Sequence, residues 1–409
     1  SQGSSNSPSL PVVSNKQVRQ DMLEQFETLE SDLQSHILSF GTEADLWYHS
    51  TKFPEAVAKT ISSKSVINLS FLQILFPNDI QQRADNSPQN TAVAKLVHLL
   101  IQEESNSRSS SNLKYLECSS LRSVSGRGWL DQLPTSSLQT LDMSGCSELD
   151  PTVLIDCLKC TGSQLKHLNL TGCTKVSNPV LVVIEEYHPQ LESLWLGGCS
   201  QTIGRAPFQL HAMLKKMSKL KHLDLQMLNR ITDDEGRFMD SLSSSMESLN
   251  LTGCKELRLN CRGAQEATAY YLQSLSHRTG LDHWKTAPTF RHGKMMHLVL
   301  DLVGLPRTGL WRGVLAYFAM GRQLREVHLS GCENIHDWEV EALAVTCART
   351  LTCLQMRACR ISDVSLKALA TYCQVLGEID VSACFRVGDE GVMALCEPRR
   401  FPIGEDNNK

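Results

Sequence analysis

The chain has 409 residues, 41% of them apolar and 21% charged, enough apolar side chain for two or three ordinary domains or one long array. Its formal net charge of -4 argues against a generic nucleic-acid or anionic-membrane surface, and no apolar run reaches the roughly 18 residues of a membrane span. Fifteen cysteines, an odd number, read as reduced thiols of the cytosol or nucleus and not as a disulfide framework.

In chain order, residues 1–16 are rich in Ser, Pro and Asn and read as a disordered leader or a cut end, without the apolar centre of a secretory signal. Residues 17–62 read as a small helical module. Leu33, Ile37 and Phe40 fall on one helical face with Leu29 one turn earlier, a break follows at Gly41-Thr42, and Glu43 to Leu46 can open a second helix. An amphipathic helix that merely caps a repeat array has the same spacing. Residues 63–112 read as an atypical first unit, with Val66, Leu69 and Phe71 in a strand frame, a helix over Val93 to Ile101 and a Ser/Asn-rich loop over Ser105 to Asn112.

From Leu113 the chain repeats. The hexapeptide LNLTGC occurs at Leu168 to Cys173 and again at Leu249 to Cys254, 81 residues apart. The wider frame is Leu-x-x-Leu-x-Leu-x-x-Cys. It starts at Leu138, Leu165, Leu191, Met246, Leu324, Leu351 and Leu376, and puts Cys146, Cys173, Cys199, Cys254, Cys332, Cys359 and Cys384 at one position. Leu220 starts a copy with Leu228 in the Cys place, and Leu113 and Met295 start weaker ones. Most steps are 25 to 29 residues; the single step of 49 holds an insertion at about 258–294. After each Cys comes a helix signal: Asp150-Pro151 and Asn178-Pro179 set a cap residue before Pro, and Asp stands near the predicted helix start after Ile231, Ile335, Ile361 and Val387. Each unit is then a short strand and a helix, and only stacked neighbours can share a continuous core.

This pattern resembles the cysteine-containing leucine-rich repeats, over residues 113–397, with 398–409 as a tail. The implied fold is α/β: a solenoid with a curved parallel sheet on its concave face and helices on its convex face. In such a turn the Cys packs as a small hydrophobe with a weak hydrogen bond to nearby backbone. In front of such repeats, residues Leu29 to Leu46 resemble an F-box, the module that ties a substrate receptor to a cullin-type ubiquitin ligase. Leu29, Asp32, Leu33, Ile37, Leu38, Phe40, Asp45 and Leu46 match; Glu30 stands where Pro is usual, Gly41 where Leu is, and the following helix is shortened to about Ser50 to Phe53.

The second, fourth and sixth residues after each leading Leu point away from the core. They give His167, Trp195, His222, Asp224, His297, Glu326, His328, Arg357, Glu378 and Asp380 as a partner-binding strip, among Thr140, Asp142, Ser144, Asn169, Thr171, Ser193, Gln226, Ser248, Asn250, Thr252, Val299, Asp301 and Gln355. Trp195 is the sharpest anchor, since Trp is enriched at interface hot spots, unless the insertion or a neighbouring unit covers it. Histidines two strands apart stand about 10 Å apart, too far to share a metal. Glu326, Glu378 and Asp380 around Arg357 suit a mixed or basic peptide. The insertion carries seven Lys or Arg against three Asp or Glu between Lys255 and Lys294, and suits partner contact, an idle excursion or a fold back onto the acidic strip.

No P-loop, HExxH or GxSxG motif occurs, and Cys157 and Cys160, though spaced CxxC, lie in an apolar stretch without a second pair. The expectation is a recognition protein with no catalytic residues, metal or cofactor and no nucleic-acid or membrane partner, cytoplasmic and/or nuclear. The F-box resemblance implies a substrate receptor of an SCF-type ubiquitin ligase. Leu29, Leu33, Ile37, Leu38, Phe40 and Leu46 would face a Skp-type adaptor and, through it, the cullin core, with an unknown target protein on the strip. The alternatives are a repeat scaffold with no ligase link, or the tail of a larger enzyme, as in chromatin demethylases that end in an F-box with such repeats.

Overall fold

The computed structural model describes residues 57, 60, 64–75, 85, 87–107, 113–133, 136–199, 203, 207–232, 237–254, 256–257, 259, 261–277, 280–288, 294–299, 313–332 and 334–397. Every F-box position named above lies outside these residues, as does Asp301.

Among the described residues, eleven strands form one parallel sheet in strict chain order: β1 Val66–Asn68, β2 Tyr115–Glu117, β3 Thr140–Asp142, β4 His167–Asn169, β5 Ser193–Trp195, β6 His222–Asp224, β7 Ser248–Asn250, β8 His297–Val299, β9 Glu326–His328, β10 Cys353–Gln355 and β11 Glu378–Asp380. From β2 onward each strand begins two residues after a leading Leu or Met of the sequence frame, the weak copies at Leu113 and Met295 included. All pairs are in register, residue for residue. The middle residue of each strand from β2 to β10 points inward and is buried, Leu116, Leu141 and Leu168 among them, while its neighbours face out.

Between strands run the helices α1 Leu72–Leu75, α2 Pro88–Ser107, α3 Pro151–Cys160, α4 Asn178–Tyr187, α5 Pro207–Lys216, α6 Arg237–Ser241, α7 Arg262–His277, α8 Val314–Ala319, α9 Asp337–Thr346, α10 Asp363–Tyr372 and α11 Asp389–Cys396. In α3, Leu154, Cys157 and Leu158 make the buried stripe that faces the sheet. Packed helices need about 8–10 Å each, whereas strands need about 4.8 Å. The stack therefore bends with the sheet inside and the helices outside.

Three ladders tie the coils together. At the turn after a strand, a residue with positive φ donates its N–H to the next coil, as Gly145 does to Thr171 O at 2.6 Å and Gly172 to Gly197 O at 2.7 Å. A Cβ on Gly145 would stand 3.1 Å from the Ser120 backbone, so glycine suits both the torsion and the close approach. Met227, Ala358 and Ala383 occupy the same place with φ of 61°, 57° and 58°. The repeat cysteines form the second ladder. Cys146, Cys173, Cys199, Cys254, Cys359 and Cys384 are buried and donate Sγ–H to carbonyls of the preceding coil at 3.0–3.1 Å. Burial pushes the thiols of Cys173 and Cys254 up to about 12.

The third ladder corrects an expectation. Asp150 does cap α3, accepting from Thr152 N–H. Asp337 and Asp363, though in the first turns of α9 and α10, reach to the following coil instead. Asp337 accepts from Ser362 N–H (2.7 Å), Ser362 Oγ–H (2.8 Å) and Ser365 Oγ–H (2.7 Å), and Asp363 from Gly388 N–H at 2.6 Å. The N-caps of α9 and α10 are His336 and Ser362, and that of α4 is Ser177, not Asn178. A helix start in this array lies beside the next coil's start, so a carboxylate there finds free N–H donors across the gap.

At the N-terminal side α2 extends through Ser107, beyond Val93 to Ile101 and into the expected loop. It is keyed to the next coil by Asn90, whose Oδ1 accepts from the buried Trp129 indole N–H at 3.0 Å and from Gly126 N–H at 3.2 Å. The insertion holds α7 and a 3-10 turn, Gly280–Thr286, on the helical side of the stack. Tyr271 stacks on Trp338 of α9 at 4.5 Å, and Trp284 lies parallel to both. This cover explains why α9, unlike α3, is buried almost all round.

Candidate protein-binding face

The outward positions of the sheet make two rows. The first-position row runs Tyr115, Thr140, His167, Ser193, His222, Ser248, His297, Glu326, Cys353, Glu378 from β2 to β11; the third-position row runs Glu117, Asp142, Asn169, Trp195, Asp224, Asn250, Val299, His328, Gln355, Asp380. The predicted strip residues His167, Trp195, His222, Asp224, His297, Glu326, His328, Glu378 and Asp380 all sit in these rows. Arg357 follows two residues after β10 and is exposed.

Much of the third-position row is engaged locally. Asp142, Asn169, Asp224, Asn250 and Asp380 each accept the N–H two residues on, closing the turn after the strand. Asn169 also donates its amide to Asp142 Oδ2 (2.9 Å), and Asn250 to Asp224 Oδ2 (2.7 Å). These side chains build the face as well as offer it. Burial raises the Asp224 carboxyl above its usual range, against hydrogen bonds from Gln226 and Asn250 that lower it. The bond from the Ser382 hydroxyl, with that from its N–H, holds Asp380 below it.

In the first-position row His167 Nδ1 lies 2.9 Å from Ser193 Oγ, and Ser193 is itself buried. Burial depresses the imidazoles of His167 and His222, favouring neutral rings. His297 Nδ1 stands 3.2 Å from Glu326 Oε2. A charge ladder at the strand starts was not anticipated: Lys166 and Lys221 both reach Glu192, at 3.4 and 2.8 Å. Nor were three outward residues. Glu117 accepts from Asn68 and Ser119 in a copy too weak to read outward. Tyr115 lies in the same weak copy, and Cys353 is an apolar residue type in an outward place. Burial raises the Cys353 thiol, and His328 Nε2 lies 3.8 Å from its Sγ. Cys157 is buried and Cys160 exposed, and no group of three or more metal-capable side chains converges among the described residues.

Trp195 is half-buried in the middle of this face. Its indole makes no side-chain hydrogen bond, ring stack or cation contact among the described residues. The described part of the insertion, α7 and the 3-10 turn Gly280–Thr286, packs against α9 on the helical side.

A leucine-rich repeat family model matches residues 347–370, which in this fold run from the end of α9 through β10 into α10. The matched coil is a leucine-rich repeat, and the array as a whole has the leucine-rich-repeat solenoid fold. The chain is similar to a chain in the crystal structure of the Rad7 and Elc1 complex in yeast, at 16% identity over 95% of this chain and 91% of that one, with a TM-score of 0.49. It is similar to the internalin InlF of Listeria monocytogenes, at 12% identity over 83% and 74%, with a TM-score of 0.45. It is also similar to the leucine-rich repeat-containing protein LegL7 of Legionella pneumophila, at 16% identity over 68% and 86%, with a TM-score of 0.35. No helix among the described residues is long and apolar enough to cross a membrane.

Proposed function

We propose that this leucine-rich-repeat chain is the target-recognition subunit of an SCF-type ubiquitin ligase, with a Skp-type adaptor on Leu29 to Leu46 and a target protein on the concave sheet. The observation that carries the recognition half is Trp195: a large aromatic, half-buried and without a side-chain partner among the described residues, set in a concave row that is polar apart from it and Val299. Such a side chain is the kind that dominates interface energetics. The ligase half is supported by the spacing of Leu29, Leu33, Ile37, Leu38, Phe40 and Leu46 ahead of the repeats. Catalysis would then be proximity. A target tethered at one end of the assembly meets the ubiquitin-charged enzyme at raised effective concentration, and the receptor needs no acid, base or nucleophile.

The test is co-purification of the full chain with the Skp-type adaptor and cullin. The reading expects a complex that is lost in Leu33→Asp plus Ile37→Asp while the repeats keep their thermal transition. An unchanged complex, or none with the native chain, removes the ligase link. Glu30 and Gly41, which depart from the F-box pattern, favour the second reading, a repeat scaffold that binds its partner without a ligase.

A further inference from the structure

We propose that Trp195 seats a positively charged side chain, arginine or lysine, of a bound protein segment, with Asp224 and Asp142 as the flanking carboxylates. This rests on the reading that the concave face holds a protein.

The geometry comes first. Asn169, Trp195 and Asp224 are register partners on β4, β5 and β6, so Asp224 is one strand from the indole, about 5 Å, and Asp142 two strands away on the other side, about 10 Å. Each carboxylate is fixed from two directions, Asp224 by Gln226 N–H and the Asn250 amide, Asp142 by Ser144 N–H and the Asn169 amide. A carboxylate oxygen accepts more than one hydrogen bond, so both remain able to meet a cation while held in place. Gly197, two residues after Trp195, makes room for side chains of the next coil. A Cβ there would stand 2.9 Å from Asp224 Oδ1 and 2.4 Å from Gln226 Cγ, so the Asp224 carboxylate leans onto the strand that carries Trp195.

Charge points the same way. Along β2 to β7 the two outward rows hold Glu117, Asp142 and Asp224 and no Lys or Arg, and none of these carboxylates has an ion pair among the described residues. His167 and His222 are held toward the neutral form by burial. Lys166 and Lys221, at the strand starts, are already paired with Glu192. A half-buried carboxylate with no counter-ion beside an unpartnered indole is the arrangement that a guanidinium or ammonium satisfies twice, through the ring face and through the carboxylate. A nucleic acid would set phosphates against the same three carboxylates, and an apolar anchor would leave them facing it.

The experiment uses the full chain and dye-labelled twelve-residue Gly/Ser peptides carrying two central arginines, two lysines, two citrullines or two glutamates, read by fluorescence anisotropy at low salt. The proposal expects the arginine and lysine peptides to bind at least about tenfold more tightly than the citrulline peptide. Trp195→Ala should cost about tenfold, Asp224→Asn several-fold and Trp195→Phe little, with citrulline binding unmoved. Each variant is first checked for an unchanged thermal transition. Equal binding of citrulline and arginine, or no binding of any cationic peptide, overturns the proposal. So does cationic binding that survives Trp195→Ala but falls on Glu378→Lys at the other end of the sheet, although the concave-face reading then stands. Cationic binding untouched by any of these variants overturns both.

Discussion

At the scale of single residues, the turn after each strand is governed by a torsion. Gly145, Gly172, Gly198, Gly253 and Gly331 take the left-handed conformation there at no steric cost, while Ala358 and Ala383 take it with φ of 57° and 58°. A left-handed L-residue costs on the order of 1–2 kcal/mol. Ala358→Gly and Ala383→Gly are therefore expected to stabilise the array, by about 1 kcal/mol each after glycine's extra unfolded-state entropy is subtracted. A rise in the urea midpoint at unchanged slope checks this; a fall at both sites contradicts the assignment of the turn. The partner of each turn was not legible in the sequence. The recurring Cys reads as a small buried side chain, and among the described residues Cys146, Cys173, Cys199, Cys254, Cys359 and Cys384 donate to a carbonyl of the preceding coil. Sequence alone does not say which carbonyl, because the acceptor lies 28 to 30 residues upstream.

At the scale of elements, strand positions were the most legible feature. An inward Leu at a fixed offset leaves one phase for each strand, and even the weak windows at Leu113 and Met295 hold strands in register with their neighbours. Helix starts are less legible. Asp ahead of an apolar stripe looks like that helix's own cap, yet Asp337 and Asp363 serve the following helix, because the rule is local in sequence and the donor is local in space. Asp337→Ala would leave Ser362 N–H and two hydroxyls without their acceptor and should cost about 2–3 kcal/mol, whereas the exposed Asp389→Ala should stay within about 0.5 kcal/mol. Equal costs in equilibrium unfolding would show that the bridge contributes nothing. The insertion was legible in length and charge but not in role. Its Tyr271 and Trp284 carry no helical-face signal that names Trp338, 54 residues from Trp284, as their platform.

At the scale of the whole molecule, the buried ionisable groups set a stability window. Thiols are raised from 9.0 by burial, to about 12 at Cys157, Cys173 and Cys254 and to about 11 at Cys347. The unfolded chain loses these protons near 9.0 and the folded chain keeps them. Their contribution is therefore complete below 9.0 and lost as pH rises from there toward 12. His167, His188 and His222 are lowered from 6.5, chiefly by burial. The unfolded chain takes up protons first, so stability also falls as pH drops through 6.5. The thermal midpoint should show a plateau between these limits and decline on both sides; a midpoint that holds to pH 11 would contradict the burial of the thiols.

The same scale carries the functional claim, since a row of eleven short strands presents side chains that no single coil could assemble. The most direct measurement places a photo-reactive amino acid at Ser248 or Gln355 on the sheet, and at Asp156 or Lys215 on the helices, in the full chain expressed in its native cell. One protein should crosslink from both sheet positions and from neither helix position, and Trp195→Ala should reduce it. Adducts of that partner from Asp156 or Lys215, with none from the sheet, would place binding on the helical side and contradict the account.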